Sequence, residues 1–577
     1  MTAEPESSPP QRSSVEIVKE ASRYLRGNIA AELQADTEAV SKESYHLLKF
    51  HGTYQQEDRD ARKQRDKTGL AKFTIFMVRC KIPGGKLTAA QYLALDDLAE
   101  KYANRTLRLT TRQGIQLHGV LKKNLHATIR GINETMLTTL GACGDVERNV
   151  MCTAAPIRDR LHEQVQAAAD AIAQHLAPRT RAYYEIWLNG KQWKDPDQPE
   201  EESEPIYGKT YLPRKFKTGI VLPDDNDVDI YAQDLGFVAL VEGEEITGYN
   251  VLVGGGMGMT NGNPNTFPYL AQPVCSIAAG DIVRMAEAVV KLYRDHGNRG
   301  DRKRARIKYV IAEWGVPRFR QVLETYFGQP LEPPKPVTIL PMRLRFGWQP
   351  QGDGRFFYWL SVENGRIKDE GPLRLRSGLR EVIRRLQPNL RVTPTQDLIL
   401  CDLPADARPF VEETLRSHGV RLPEELSLVQ KLSMACPAIP TCGLAISESE
   451  RALPGLIDQL EIELQRLGLE RESLTVRMTG CPNGCARPYQ SDIGIVGRSG
   501  NKYTLYVGGR LLGDRLNFLL CDLVPREQIV PLLVPLLEAY RQQRHPGEGF
   551  GDWCSRVGRD SLVKLLPSTT PAPHTDG

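Results

Sequence analysis

The chain has 577 residues, 41% of them hydrophobic, with 75 basic and 71 acidic side chains and a formal net charge of +4. That length suits about three or four domains with real cores, and the near balance of charge excludes a global field for nucleic acid or membranes, so any anion-binding role must be local. The opening residues are polar, no secretory or membrane-spanning apolar run occurs, and the 11 cysteines are an odd number, so the sequence reads as a reduced, soluble, cytoplasmic protein without disulfides.

Residues 1–13 and 567–577 are rich in Pro, Ser, Thr and acidic side chains and are predicted to be disordered. Phe76–Leu87 predicts a strand followed by a turn, Ala89–Tyr102 a helix, and Leu107–Leu117 an alternating strand, together a β-α-β unit. In a continuous strand Arg108, Thr110, Arg112, Gln116 and His118 fall at even spacing and share one face. No carboxylate lies among them, so this face would repel itself unless it met an anion, and arginine forks suit a ligand rich in carboxylates. Further cations follow at Arg79, Lys81, Arg148 and the cluster Arg214-Lys215-Phe216-Lys217. The acidic run from Asp195 to Pro205 reads as a solvated loop. Gly254–Gly256 lacks the G-x-G-x-x-G spacing, and the stretch Met259-Thr-Asn-Gly-Asn-Pro-Asn265 beyond it cannot open a helix, so it is not a dinucleotide cradle.

The second half repeats the first. Leu107-Arg-Leu-Thr-Thr-Arg-Gln-Gly-Ile-Gln-Leu117 matches Leu390-Arg-Val-Thr-Pro-Thr-Gln-Asp-Leu-Ile-Leu400, preceded again by a strand and turn (Phe357–Ile367) and a helical stretch (Leu373–Leu386). Tyr249–Gly256 pairs with Tyr503–Gly509, and Arg148-Asn-Val-Met-Cys-Thr with Lys431-Leu-Ser-Met-Ala-Cys436. The halves, roughly 60–330 and 345–555, read as one duplicated gene.

Only the second half carries a four-cysteine pattern, Cys436-x5-Cys442 and Cys481-x3-Cys485 separated by 38 residues. Four soft thiolates in two close pairs suit a cubane iron–sulfur cluster, one sulfur per iron. Zinc is the alternative, but x5 with flanking Pro and Gly departs from the usual zinc knuckle.

These cysteine pairs, the strand running to His118-Gly119, Arg148-Asn-Val, Leu212-Pro-Arg-Lys-Phe-Lys217 and Phe50-His-Gly-Thr-Tyr-Gln-Gln56 together resemble the sirohaem/[4Fe-4S] nitrite and sulfite reductase family, most of all the hemoprotein (beta) subunits of assimilatory sulfite reductases. The resemblance runs from about residue 16 to 560. It implies an α+β fold of duplicated halves, built from ferredoxin-like β-α-β units and larger mixed-sheet domains around a central cofactor site. The implied division is a tail at 1–15, an N-terminal arm and first ferredoxin-like repeat at 16–145, and a first sirohaem and substrate domain at 146–335. A second ferredoxin-like repeat at 345–425, a [4Fe-4S]/sirohaem domain at 426–560 and a tail at 561–577 complete it.

By the same resemblance Cys436, Cys442, Cys481 and Cys485 hold a [4Fe-4S] cluster, and Cys485 is also the axial ligand of the sirohaem iron. Arg108, Thr110, Arg112, Gln116, His118 and Arg214 would bind the macrocycle's carboxylates, and Arg79, Arg148, Lys215 and Lys217 the substrate anion. The implied reaction is the six-electron reduction of sulfite to sulfide in assimilatory sulfur metabolism and cysteine biosynthesis, with nitrite reduction as the alternative. In nitrite reductases of the family the position of Lys217 is typically Asn, which favours sulfite here. Lys215 and Lys217, crowded by arginines, are expected to have lowered pKa values and to be the proton donors. No flavin or nicotinamide motif is recognised, so an NADPH-dependent FAD/FMN flavoprotein (alpha) subunit is expected as donor. Ferredoxin is the alternative, because Thr139–Asp145 and Glu204–Gly208 look closer to plant-type enzymes. Cys152 reads as a core thiol.

Overall fold

The computed structural model describes residues 12–68, 73–183, 186–188, 191–193 and 203–567. The predicted tails at 1–11 and 568–577, and most of the acidic run from Asp195, lie outside the described residues. Inside them the tails are shorter than expected: a helix begins at Ser14, and a last helix, Arg559–Val563, buries Leu562 in the core.

Each half contains a five-stranded sheet of the expected ferredoxin-like kind. The first orders Thr53–Glu57, Thr74–Arg79, Ile115–Val120, Leu107–Leu109 and Arg366–Ile367; the second orders Gly347–Pro350, Phe356–Leu360, Leu398–Leu403, Leu390–Val392 and Lys86–Leu87. The last strand of each sheet belongs to the other half, so the two units exchange edge strands. This exchange merges the repeats into one core, in which Leu107, Leu109 and Leu117 pack together with Leu390, Val392 and Leu400. Ala89–Tyr102, capped by Thr88 and Gln91 in a reciprocal box, and Leu375–Leu386 are the two predicted helices.

Leu107–Leu117 is not one strand. It is a hairpin whose strands pair Leu107 with Leu117, Arg108 with Gln116 and Leu109 with Ile115. The turn is closed by Thr110 N–H to Gly114 O (2.9 Å) and needs a left-handed residue, Gln113 at φ 50°. The second repeat reproduces it, with Leu390 opposite Leu400, Thr393 N–H to Asp397 O (3.0 Å) and Gln396 at φ 74°. Alternation persists through such a tight turn, which is why the sequence pattern resembled a single strand.

Two larger sheets complete the halves. Met151–Cys152, Thr218–Val221 and Leu235–Glu242 run parallel, with Glu245–Val253 and Gln272–Ala278 added antiparallel. Ser433–Ala435, Val476–Thr479 and Ile493–Ser499 repeat the parallel part, and Lys502–Val507 and Phe518–Pro525 the antiparallel part. Neighbouring parallel strands put their starts at one end of a sheet and their exits at the other. Arg148 and Lys217 lie just before two such neighbours in the first sheet; Cys436 and Cys481 lie just after two in the second. Among the described residues no helix is long and apolar enough to cross a membrane.

Candidate functional site

The exits of the second sheet bring the four predicted cysteines into one neighbourhood: Cys436 is affected by the charge of the other three, Cys481 by that of Cys485 and Cys442, and Cys442 by that of Cys485. Cys436 and Cys481 are buried, Cys442 is half-buried and Cys485 is exposed. Burial, with Cys485 next, pushes the Cys481 thiol up to about 12 and raises that of Cys436 as well. Donors already face the sulfurs: Gly480 N–H lies 3.3 Å from Cys436 Sγ and Asn483 Nδ2 3.5 Å from Cys481 Sγ. Among the described residues no three His, Cys, Asp or Glu converge tightly enough for a single metal ion. Four thiols gathered in one neighbourhood suit an iron–sulfur cluster, which takes one sulfur per iron.

The hairpin turn is stitched to the loop of the last cysteine. Thr111 donates to the Cys485 carbonyl (3.2 Å), and Arg487 donates to the Thr111 carbonyl (3.1 Å). From the other side Met259 N–H bonds Pro482 O (3.0 Å), and Gly484, at φ 62°, leaves no room for a Cβ, which would stand 2.8 Å from the Met257 carbonyl.

The starts of the first sheet supply the cations. Glu147 bridges to Phe216, and Arg148 N–H bonds Phe216 O (3.0 Å), so Arg148 runs beside Lys215 and Lys217. Arg148 donates to Gly144 O (2.8 Å) and Ala142 O (3.4 Å), and Arg79 reaches the same Ala142 carbonyl (3.5 Å) and Cys143 Sγ (3.1 Å). Burial, and then Arg306, lowers Lys215 to about 7; Arg214 and Arg148 push the same way, while Cys485 opposes. Burial and Lys215 hold Lys217 well below the usual lysine range. Lys215 therefore lies within electrostatic reach of both Arg148 and Cys485. Both lysine pKa values are lowered as the sequence predicts.

The cofactor-binding candidates divide. Turned so that its oxygen faces Arg79, Gln116 accepts from Arg79 Nε (2.9 Å) and its amide nitrogen donates to His118 Nε2 (3.3 Å). His118 Nδ1 and Arg112 Nε are buried without a hydrogen-bond partner. Arg112 otherwise bonds Gln233 Oε1 (2.8 Å) and Thr218 O (2.9 Å), and the Thr110 hydroxyl accepts from Gly114 N–H (3.1 Å) in the turn. Arg108 corrects the expectation of a face without carboxylates: Glu450, far away in sequence, lies 3.0 Å from its Nε. Arg79, Arg112, Arg148, Arg214, Lys215 and Lys217 form no ion pair among the described residues. Six cations that pair with no carboxylate at contact distance, beside the buried orphan nitrogens of His118 and Arg112, fit a polycarboxylate ligand together with a small anion.

Two site residues were missed. Arg306, bound to Asp234 at 2.8 and 3.0 Å, lies close enough to lower both Lys215 and Lys217, and burial brings its neighbour Lys308 to about 6. The basic run Arg302-Lys-Arg-Ala-Arg306-Ile-Lys308 was the available signal. Cys152 is a buried thiol pushed up to about 12 by burial, as a core thiol should be.

Residues 167–331 and 434–573 match the nitrite and sulphite reductase 4Fe-4S domain, and 63–135 and 349–418 the nitrite/sulfite reductase ferredoxin-like half domain. Among similar proteins is a sulfite reductase [NADPH] hemoprotein beta-component of Myxococcus xanthus, 45% identical over 97% of this chain and 99% of that protein. Proteins of the same description from Staphylococcus saprophyticus (44%) and Chromohalobacter salexigens (45%) each match over 94% of this chain and 95% of their own. The solved structure of the Mycobacterium tuberculosis NirA protein superposes with a TM-score of 0.77 at 25% identity, covering 96% of this chain and 98% of that one. With both halves of both domains matched in order and relatives this similar over nearly its full length, the chain belongs to the nitrite and sulfite reductase family.

Proposed function

We propose that this chain is the hemoprotein component of an assimilatory sulfite reductase and reduces sulfite to sulfide. The observation that carries the reading is the pairing of the Arg148 segment with Phe216, which sets Arg148 beside Lys215 and Lys217, with the charge of Cys485 reaching Lys215. The relatives described as sulfite reductase hemoprotein beta-components support it.

Cys436, Cys442, Cys481 and Cys485 would hold a [4Fe-4S] cluster, and Cys485 would also help to hold the sirohaem. Arg112, Gln116, His118 and Arg214 would take macrocycle carboxylates; Arg108 and Thr110 line the same hairpin, with part of their polar capacity used by Glu450 and the turn. When bound, the coupled haem and cluster supply electrons singly to the substrate sulfur. Sulfite takes up six electrons and six protons and loses its oxygens as three waters. Arg79, Arg148, Lys215 and Lys217 would hold the dianion, by fixed charge in a site where water screens poorly. Lys215 and Lys217 would give protons to the departing oxygens, because their pKa values are lowered whereas arginine does not readily release a proton. A lysine at 217 suits a dianion better than singly charged nitrite.

The relatives' description as beta-components of an NADPH enzyme supports a further component as the electron source, and the resemblance makes that component a flavoprotein carrying FAD and FMN. Leu444 and Ile446, large apolar side chains exposed just beyond Cys442, offer it a docking point, with Arg59 bonded to the Gly443 and Ala445 carbonyls.

Expression with ample iron and sirohaem synthesis tests the reading. The expected product is coloured, carries about four labile sulfides per chain, and reduces sulfite with reduced methyl viologen. Colourless protein holding only zinc would overturn it. NADPH plus flavoprotein against reduced ferredoxin then identifies the donor, and Leu444→Asp should slow the partner-driven reaction while sparing the dye-driven one.

A further inference from the structure

The N-terminal helix Ser14–Ala21 lies outside every stretch matched to the family domains, yet it buries two charges, Glu16 (1% exposed) and Lys19 (0%). Burying an ion is costly unless its partners are well placed. Lys19 Nζ pairs with Glu16, lies 3.7 Å from Asp145 and donates to the Leu212 carbonyl at 2.8 Å.

The neighbouring carbonyls are held in the same way. Arg299, which pairs with Glu16, donates to Tyr211 O (2.7 Å); Arg302, which pairs with Asp145 at 2.7 Å, donates to Pro213 O (3.3 Å). Three consecutive carbonyls, from Tyr211 to Pro213, are thus each held by a different cation, directly before Arg214 to Lys217. Their counter-ions sit on the N-terminal helix and at Asp145, three residues before Arg148. Backbone bonds close the arrangement: Leu212 N–H to Asp145 O (3.0 Å), Phe216 N–H to Val146 O (3.2 Å) and Arg148 N–H to Phe216 O (3.0 Å).

We propose that Lys19 is a positioning residue for the substrate anion, clamping the segment that carries Lys215 and Lys217 against the segment that carries Arg148. The inference rests on the anion-site reading of those three residues. Lys19 touches neither substrate nor cofactor. It fixes the distance between two groups of cations whose mutual repulsion would otherwise spread them when the anion is absent. The N-terminal helix is therefore part of the site's scaffold.

The test is Lys19→Met, which keeps length and apolar volume but removes the charge and the donor. Hydrogen exchange in the full-length holoprotein should quicken at least tenfold in peptides covering 141–149 and 211–218 and stay unchanged in the sheet Ser433–Val507. Sulfite KM should rise about tenfold with kcat within about threefold, since positioning acts on anion binding before chemistry. Unchanged exchange in the two segments, or faster exchange with unaltered KM, overturns the clamp. Arg148→Ala, assayed in parallel, separates the two readings: if it raises KM and Lys19→Met does not, only the clamp fails, and if neither raises KM, the anion-site reading fails. Should Lys19→Met not fold, Arg302→Gln removes the grip on Pro213 and Asp145 while leaving Lys19 in place. It should quicken exchange in the same two segments and raise KM at least threefold, and the absence of either change would equally refute the proposal.

Discussion

Arg108 donates to the carbonyl of Ala435 at 2.7 Å, joining residues 327 positions apart and tying the first-half hairpin to the residue before Cys436. Gln396, from the second-half hairpin, donates to the same carbonyl at 3.0 Å. The cysteine loop is therefore held from both repeats at once. Arg108→Met should leave Glu450 with its remaining partner Arg366, 2.7 Å away, so the loss should be about 1–3 kcal/mol, below the ~3–5 kcal/mol of an orphaned buried ion. Guanidinium unfolding and the rate of iron loss to a chelator measure it; wild-type values for both would mean that this contact does not hold the loop.

Cys485 is the exposed member of the four cysteines, and it is the one proposed to serve both centres. Cys485→Ser should lose sirohaem absorption and cluster content together if, as proposed, one sulfur serves both. Retention of the wild-type spectrum and turnover would remove Cys485 from the bridging position.

Lys217→Asn should lower sulfite kcat/KM by roughly 10- to 1000-fold, about 1.4 to 4 kcal/mol, and spare nitrite reduction in comparison. The doubly charged substrate loses more when one cation is removed from a poorly screened site. Paired kinetics with reduced methyl viologen decide: equal losses on both substrates would show that this lysine does not discriminate by charge.

Lys215→Arg keeps the positive charge but not the readily released proton. Sulfite KM should therefore stay within about threefold while kcat falls at least tenfold. A drop in binding alone, with kcat preserved, would make Lys215 an anion holder and leave proton delivery to Lys217.

Burial alone would raise the Asp145 carboxyl, but Arg302, Lys19 and Arg214 outweigh it and hold it at about 2, against an ordinary 3.8. A depressed carboxyl stabilises the fold above its unfolded pKa, and that contribution is lost as pH falls from 3.8 through about 2. The stability gap between wild type and Asp145→Asn should thus be about 2 kcal/mol near neutrality and shrink across that acid window. Urea titrations at several pH values test this; a gap that widened on acidification would contradict the assignment.

The repeat was legible because duplicated backbones need the same turn chemistry. Gln113 and Gln396 both take the left-handed position of their hairpins, and Leu107 and Leu390 open both registers. Reading the first copy as one strand misplaced its middle but kept much of its face. Arg108 and Gln116 sit directly opposite each other, and opposed residues on neighbouring strands point to the same side. Arg112, by contrast, belongs to the turn, where strand parity no longer applies.

By itself the sequence determined the four-cysteine pattern, the duplication, the two long helices of the ferredoxin-like units and the unusual density of cations in the first half, because spacing and periodicity record which residues share a loop or a face. The tertiary structure alone decided which charges are matched. Glu450 comes to Arg108, Asp234 to Arg306 and Lys19 to Asp145 across long stretches of chain. It also decided that each half lends the other a two-residue edge strand, Lys86–Leu87 and Arg366–Ile367. Two residues are too few to show a period, and backbone pairing is blind to side-chain identity. A buried charge is satisfied by any partner that packing brings within reach, so neither feature leaves a local mark in the sequence.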